Sequence, residues 1–250
     1  MKILLSPSKT QNFEPLDLNN GFTKPTFAQE IQQLVHKLKD SSQADLIKLM
    51  SISSNLAELN YSRFQKFQPD FTQENSKPAI FAFKGDVYTD IKATKYSKTQ
   101  LDFANSTIRI LSGLYGILRP LDLIQPYRLE MKTKLKTENN KDLYEFWNTK
   151  ITDFLNQEES ALIVNLASEE YFKVLQPKNL KANLLNISFK ENREGKLKII
   201  AIYAKKARGT MANFLVENKI ETIDGIKKFN LDNYKFSETE SQPNQLVFTR

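Results

Sequence analysis

Lys205-Lys206-Ala207-Arg208-Gly209 sets three cations beside a glycine, where an apolar strand-like run gives way to a helix-like one. A helix N-terminus already carries partial positive charge, so cations there repel it unless an anion or acidic side chains neutralise them. A phosphate held by backbone N–H groups and a guanidinium together would do so. A solvated basic turn is the alternative. Gln125-Pro126-Tyr127-Arg128-Leu129-Glu130-Met131-Lys132 adds Tyr127 as a stacking face and Arg128 as a bidentate fork, a pairing suited to a nucleotide or backbone phosphate. Ion pairs Arg128–Glu130 or Arg119–Asp122 would explain the same residues structurally. Gly85-Asp86-Val87-Tyr88 follows an apolar run, a usual place for site residues in sheet-containing folds. Asp86 reads as general base, metal ligand or plain turn residue; with Glu130 and Glu170 it completes the candidate acid–base set.

Other signals are weaker alone. Ser6-x-x-Lys9 matches a serine–lysine nucleophile pair in only two residues, and a turn after the first strand is the favoured reading. Asn165, Ser168 and Glu170 follow another apolar strand. Polar residues after at least three strands point to one shared pocket.

Leu111-Ser112-Gly113-Leu114-Tyr115-Gly116-Ile117-Leu118-Arg119-Pro120-Leu121-Asp122 spends two of the chain's seven glycines in one short turn. Glycine serves positions of positive φ and close backbone approach. A Gly-x-x-Gly turn between apolar segments either offers bare amides to a phosphate or reverses the chain between packed elements.

Composition removes whole classes of chemistry. The 250 residues contain no cysteine and one histidine, so disulfides, thiolate nucleophiles and sites needing two histidines are excluded. His36 falls on the polar side of a helical run whose apolar stripe is Phe27, Ile31, Leu34, Val35 and Leu38. No metal site and no cofactor are expected. The net charge of +7 favours an anionic partner such as nucleic acid, a nucleotide or a phosphorylated metabolite. No apolar run approaches the roughly 20 residues that span a bilayer, so no membrane association is expected. Ile3-Leu4-Leu5 is too short for a signal-peptide core, and a cytoplasmic protein is expected.

The elements that must position these residues are mixed. A strand over Ile3–Leu5 opens the chain, and a polar loop runs through Gly21 and Pro25. Thr26-Phe27-Ala28-Gln29 reads as a capping box for a helix to about Asp40, and Ser97-Lys98-Thr99-Gln100 as a second. Helices are predicted over 43–50 and 54–67, and a buried strand over Pro78–Phe83. The helix from Ser97 carries Leu101, Ala104, Ile108 and Leu111 on one face up to the glycine turn. Strands follow over 161–166, 184–189, 197–203 and 245–249, with Glu191–Gly195 as a hairpin signature and Tyr171–Leu175 helical. The pattern predicts one α/β (mixed α+β) domain over residues 1–250, a mixed sheet with surrounding helices.

Met1–Thr10, Gly85–Tyr88, Arg109–Met131, Asn165–Phe172, Tyr203–Gly209 and Leu246–Arg250 together closely resemble, in order and along the whole chain, the YaaA family of peroxide-stress proteins. The resemblance implies a cytoplasmic bacterial protein that protects DNA and protein from hydrogen peroxide and is associated with lowering free intracellular iron. It also implies a basic cleft and double-stranded DNA binding through a helix–hairpin–helix-like element. Carried over, the hairpin is Ser112-Gly113-Leu114-Tyr115-Gly116, and the cleft cations are Lys9, Arg119, Arg128, Lys205, Lys206 and Arg208. Pro120 departs from the pattern: it disfavours helical geometry at Arg119, so the second helix either starts at Pro120 or the motif is degenerate. The rival reading is an enzyme acting on a nucleotide-like or phosphorylated small molecule, with Asp86, Glu130 or Glu170 as acid, base or ligand.

Overall fold

In the computed structural model, residues 1–16 and 21–250 are described; residues 17–20 of the expected polar loop lie outside the described residues. The centre is an eight-stranded mixed sheet. Its strands are β1 (Lys2–Leu5), β2 (Ile108–Ser112), β3 (Gly116–Leu118), β4 (Leu162–Asn165), β5 (Asn183–Arg193), β6 (Lys196–Lys198), β7 (Lys235–Gln242) and β8 (Gln245–Thr249). They lie in the order β7-β8-β5-β4-β1-β2-β3, with β6 paired to β5 off that path. β1 runs parallel to both β2 and β4, and β4–β5 and β5–β8 are parallel as well. Ile3, Leu4 and Leu5 of β1 are buried, as are all five residues of β2. The continuous apolar run Ile3–Leu5 suits a central parallel strand covered on both faces.

The helices that matter for the site are α1 (Ala28–Lys39), α2 (Gln43–Met50), α3 (Ser54–Lys66), α4 (Asp86–Ile91), α5 (Lys98–Thr107), α6 (Glu169–Phe172) and α7 (Ala201–Glu217). The Ser97 capping box forms fully: Gln100 N–H donates to Ser97 Oγ and Ser97 N–H to Gln100 Oε1 at 2.9 Å. The Thr26 box does not form, because α1 starts at Ala28 with Phe27 as an uncapped N-cap.

Five local expectations change. Pro78–Phe83 is not one strand: Ala79–Ala82 is a single helical turn, since Ala79 and Ile80 donate their N–H groups to the carbonyls of Asp122 and Pro120 at 2.9 and 3.0 Å. The helix from Ser97 ends at Thr107 rather than reaching Leu111, because β-branched Ile108 and Ile110 pair with Ile3 and Leu5 of β1. The glycine turn is therefore a β-hairpin joining β2 to β3, with Ser112 opposite Gly116, and not a helix–hairpin–helix. No helix starts at Pro120; Leu123–Ile124 instead pairs with Lys77–Pro78 as a short strand. Finally, the expected 197–203 strand stops at Lys198, and α7 begins at Ala201. Ala204, Ala207, Met211 and Ala212 are buried on α7, and this helix packs on α4 and α5, so burial of that face outweighs the β-branched local sequence.

Candidate functional site

β1 is a topological switch point. The chain leaves it to form β2 on one side, and β4 later takes the other side, so the carboxyl ends of β1 and β4 open onto a crevice between diverging connections. Ligands of open α/β sheets bind at such crevices. Ser6 follows β1 and Ser168 follows β4. Ser168 N–H donates to Ser6 Oγ at 2.8 Å, and Ser6 Oγ donates to Ser168 Oγ at 3.1 Å. Tyr88 of α4 donates its hydroxyl to the Ser6 carbonyl at 2.8 Å, tying a third segment to the same floor. Burial pushes the Tyr88 phenol well above its ordinary value, so it stays a neutral donor. Asn165 shapes the turn: its amide donates to Asn186 Oδ1 at 2.9 Å, and its carbonyl oxygen accepts from Ala167 N–H at 3.0 Å.

Above this floor lies a cavity of about 560 Å³ whose lining includes Lys9, Asp86, Glu170, Lys205 and Arg208. The two α7 cations reach it because α7 crosses α4 at backbone contact: a Cβ on Gly209 would collide with the carbonyl oxygen of Val87. Lys205 and Arg208 are three residues apart and share the face above the cavity. The Nε of Arg208 is buried and has no hydrogen-bond partner among the described residues. Burial holds its pKa below the ordinary guanidinium value, yet arginine stays charged in this range. Lys206, on the adjacent face of α7, does not line this cavity; its charge acts on Asp90, whose carboxyl burial and Asp232 push up.

Glu130 anchors an adjoining recess. Its carboxylate, only 8% exposed, takes Lys9 Nζ at 2.7 Å, Arg128 at 3.0 Å and Lys132 at 3.5 Å. Burial opposes its ionisation, but the hydrogen bond and charge of Lys9, with Arg128 and Lys132, hold the carboxyl below its ordinary value. Glu130 is therefore a permanent anion that orients cations rather than a proton donor near neutrality. Lys132 also approaches Glu170 at 3.8 Å, linking the recess to the main cavity. Lys9 lines both.

The remaining candidates sit elsewhere. Arg119 braces a loop, with Nε on Asp122 Oδ1 at 3.0 Å and a terminal nitrogen on the Lys24 carbonyl at 3.0 Å. Tyr127 is buried, its hydroxyl 2.7 Å from Ser112 Oγ and its ring edge-on to Tyr115, so it offers no open stacking face. Ser112, Gly113, Tyr115 and Gly116 are all buried. Trp147 covers this hairpin, its indole N–H donating to the Gly113 carbonyl at 3.0 Å and its ring lying against Gly116. The turn amides thus face the core. Pro7, Val87 and Leu166, the apolar wall of the cavity, carry no chemical signature in sequence; only their position beside strand ends marks them. Among the described residues no three His, Asp or Glu side chains gather to hold a metal ion. Among the described residues, no helix is long and apolar enough to cross a membrane.

Comparison with known proteins fits this whole-chain arrangement. A family model described as peroxide stress protein YaaA matches residues 1–240. A UPF0246 protein of Acaryochloris marina is 49% identical over 252 residues, spanning all of both chains. UPF0246 proteins of Aliivibrio fischeri ES114 and Shewanella oneidensis are 47% and 45% identical over 254 residues, spanning all of this chain and 98% and 99% of theirs.

Proposed function

Since this chain belongs to the peroxide stress protein YaaA family, and so to proteins with a peroxide-stress role, we propose that it serves that role in the cytoplasm by binding double-stranded DNA through phosphate contacts. The observation that carries this reading is Arg208, which lines a cavity shared with Lys205 and Lys9 and whose buried Nε has no partner among the described residues. A buried unpaired donor is costly unless a ligand satisfies it, and phosphate oxygens suit a guanidinium best. Lys206 follows on the adjacent face of the same helix, and Lys132 pairs with Glu130 in the adjoining recess. Contacts of this kind grip the backbone and leave base edges mostly unread. The Gly113–Gly116 hairpin takes no part, because it is buried. With no cysteine and one histidine, a lowering of free iron would follow indirectly rather than by sequestration.

Fluorescence anisotropy of a labelled duplex across a salt series tests the proposal. Affinity that falls steeply and linearly on a log–log plot supports it; affinity indifferent to salt rejects it.

One observation favours a second reading, an enzyme acting on a phosphorylated small molecule. The cavity is concave, lies at the switch point, and carries Asp86 and Glu170 beside its cations. Plain phosphate gripping gives those carboxylates no task. Turnover of phosphorylated metabolites, abolished by Asp86→Asn or Glu170→Gln with duplex affinity kept, would favour this reading over DNA binding.

A further inference from the structure

The cavity sets cations and carboxylates against one another. Lys9, Lys205 and Arg208 share it with Asp86, Glu169 and Glu170. A bare polyanion laid across it would gain from one set and lose to the other. The ligand that suits both carries phosphate at one end and hydrogen-bond donors elsewhere. The third component is apolar: Pro7, Val87 and Leu166 form a wall that charged partners leave unused. A flat, weakly polar ring would cover it.

We infer that the cavity is a subsite for a single nucleotide unit, with its phosphate on Arg208 and Lys205, its base against Pro7, Val87 and Leu166, and its base amino or sugar hydroxyl groups facing the carboxylates. This deepens the phosphate-binding reading of the cleft and rests on it. Three features support it independently of net charge. The volume of about 560 Å³ falls within the roughly 300–1,000 Å³ typical of small-molecule sites. The location is the switch-point crevice, where the Ser6, Ser168 and Tyr88 hydrogen bonds pre-form a rigid floor. Arg208 lines the cavity, and its buried Nε has no hydrogen-bond partner among the described residues, so a phosphate there meets a guanidinium not already committed to an ion pair among them.

The same chemistry has two sources, a free nucleotide and an unpaired nucleotide turned out of a DNA strand. Titration calorimetry with adenosine monophosphate, ribose 5-phosphate and inorganic phosphate reads the first. Anisotropy with an intact duplex and the same duplex carrying one bulged nucleotide reads the second. The expected result is that adenosine monophosphate binds at least about tenfold tighter than either fragment, the increment of a hydrogen-bonded and stacked group. Arg208→Gln should remove most of that affinity. Arg208→Lys, which keeps the charge without the fork, separates loss of phosphate recognition from misfolding by retaining part of it.

A bulged duplex that binds tighter than the intact one, with the excess competed away by adenosine monophosphate, assigns the strand as source. Equal binding of both duplexes, with the mononucleotide still preferred, assigns the free nucleotide. If the mononucleotide binds no better than phosphate and the bulge confers nothing, the inference is overturned. In that case salt-dependent binding of the intact duplex would leave the phosphate reading standing, and its absence would remove both.

Discussion

Gly209 of α7 and Val87 of α4 stand in backbone contact, leaving no room for a side chain on the glycine. This contact decides whether Arg208 reaches the cavity. In an exposed helix interior, glycine to alanine stabilises by roughly 1 kcal/mol. Here the added methyl group must push two helices apart, at about 1–3 kcal/mol, so the sign reverses. Gly209→Ala is expected to lower the thermal midpoint and weaken duplex binding together. A raised midpoint with unchanged binding would show that the contact does not position the site.

The two neighbouring lysines of α7 should separate. Lys205 lines the cavity and Lys206 does not. Each alanine variant should reduce the salt slope of duplex binding by about one. Only Lys205→Ala should also weaken adenosine monophosphate. Equal effects of both variants on the mononucleotide would contradict the placement of Lys206.

Glu130 gives a pH signature. Its folded pKa is depressed below the ordinary value of 4.5, so its contribution to stability is fully present above that value and lost as pH falls through the lower folded one. Glu130→Gln should cost about 1–3 kcal/mol near neutrality by stranding the largely buried Arg128, and should flatten the acid side of the stability curve. It should also tighten phosphate binding, because Lys9 is released. Chemical denaturation at a series of pH values checks the first part, and phosphate titration the second.

The buried hairpin makes the opposite kind of prediction. Gly116 has φ +69° with Trp147 packed against it. Gly116→Ala combines left-handed backbone strain of roughly 1–2 kcal/mol with a clash against the indole. Stability should fall substantially while duplex affinity per folded molecule stays the same. Selective loss of binding at full stability would restore the hairpin as a DNA contact.

These contrasts show what local sequence can and cannot carry. The Ser97–Gln100 box was legible because both of its hydrogen bonds close within four residues. Asp86, Ser168 and Glu170 were legible as pocket residues because strand ends project polar groups into one crevice. The helical start of α7 was not. Leu197 to Tyr203 has the β-branched character of a strand, and only packing of Ala204 and Ala207 against distant elements makes it helical. Gly-x-x-Gly was ambiguous for a similar reason. What settles it is Trp147, more than thirty residues away, whose ring occupies the side a phosphate would need.

The cavity wall is assembled from four stretches, around residues 6–9, 85–88, 166–171 and 205–208. None of them builds a binding surface alone, so recognition is a property of the finished chain. A nascent polypeptide still lacking α7, or one cut between these stretches and let apart, holds no competent site. Occupancy in turn fastens the early and late thirds of the polypeptide together, and a ligand at about a hundred times its Kd would add roughly 2.7 kcal/mol to the stability of the entire fold. Resistance to proteolysis at a loop far from the cavity would then register when the site is filled.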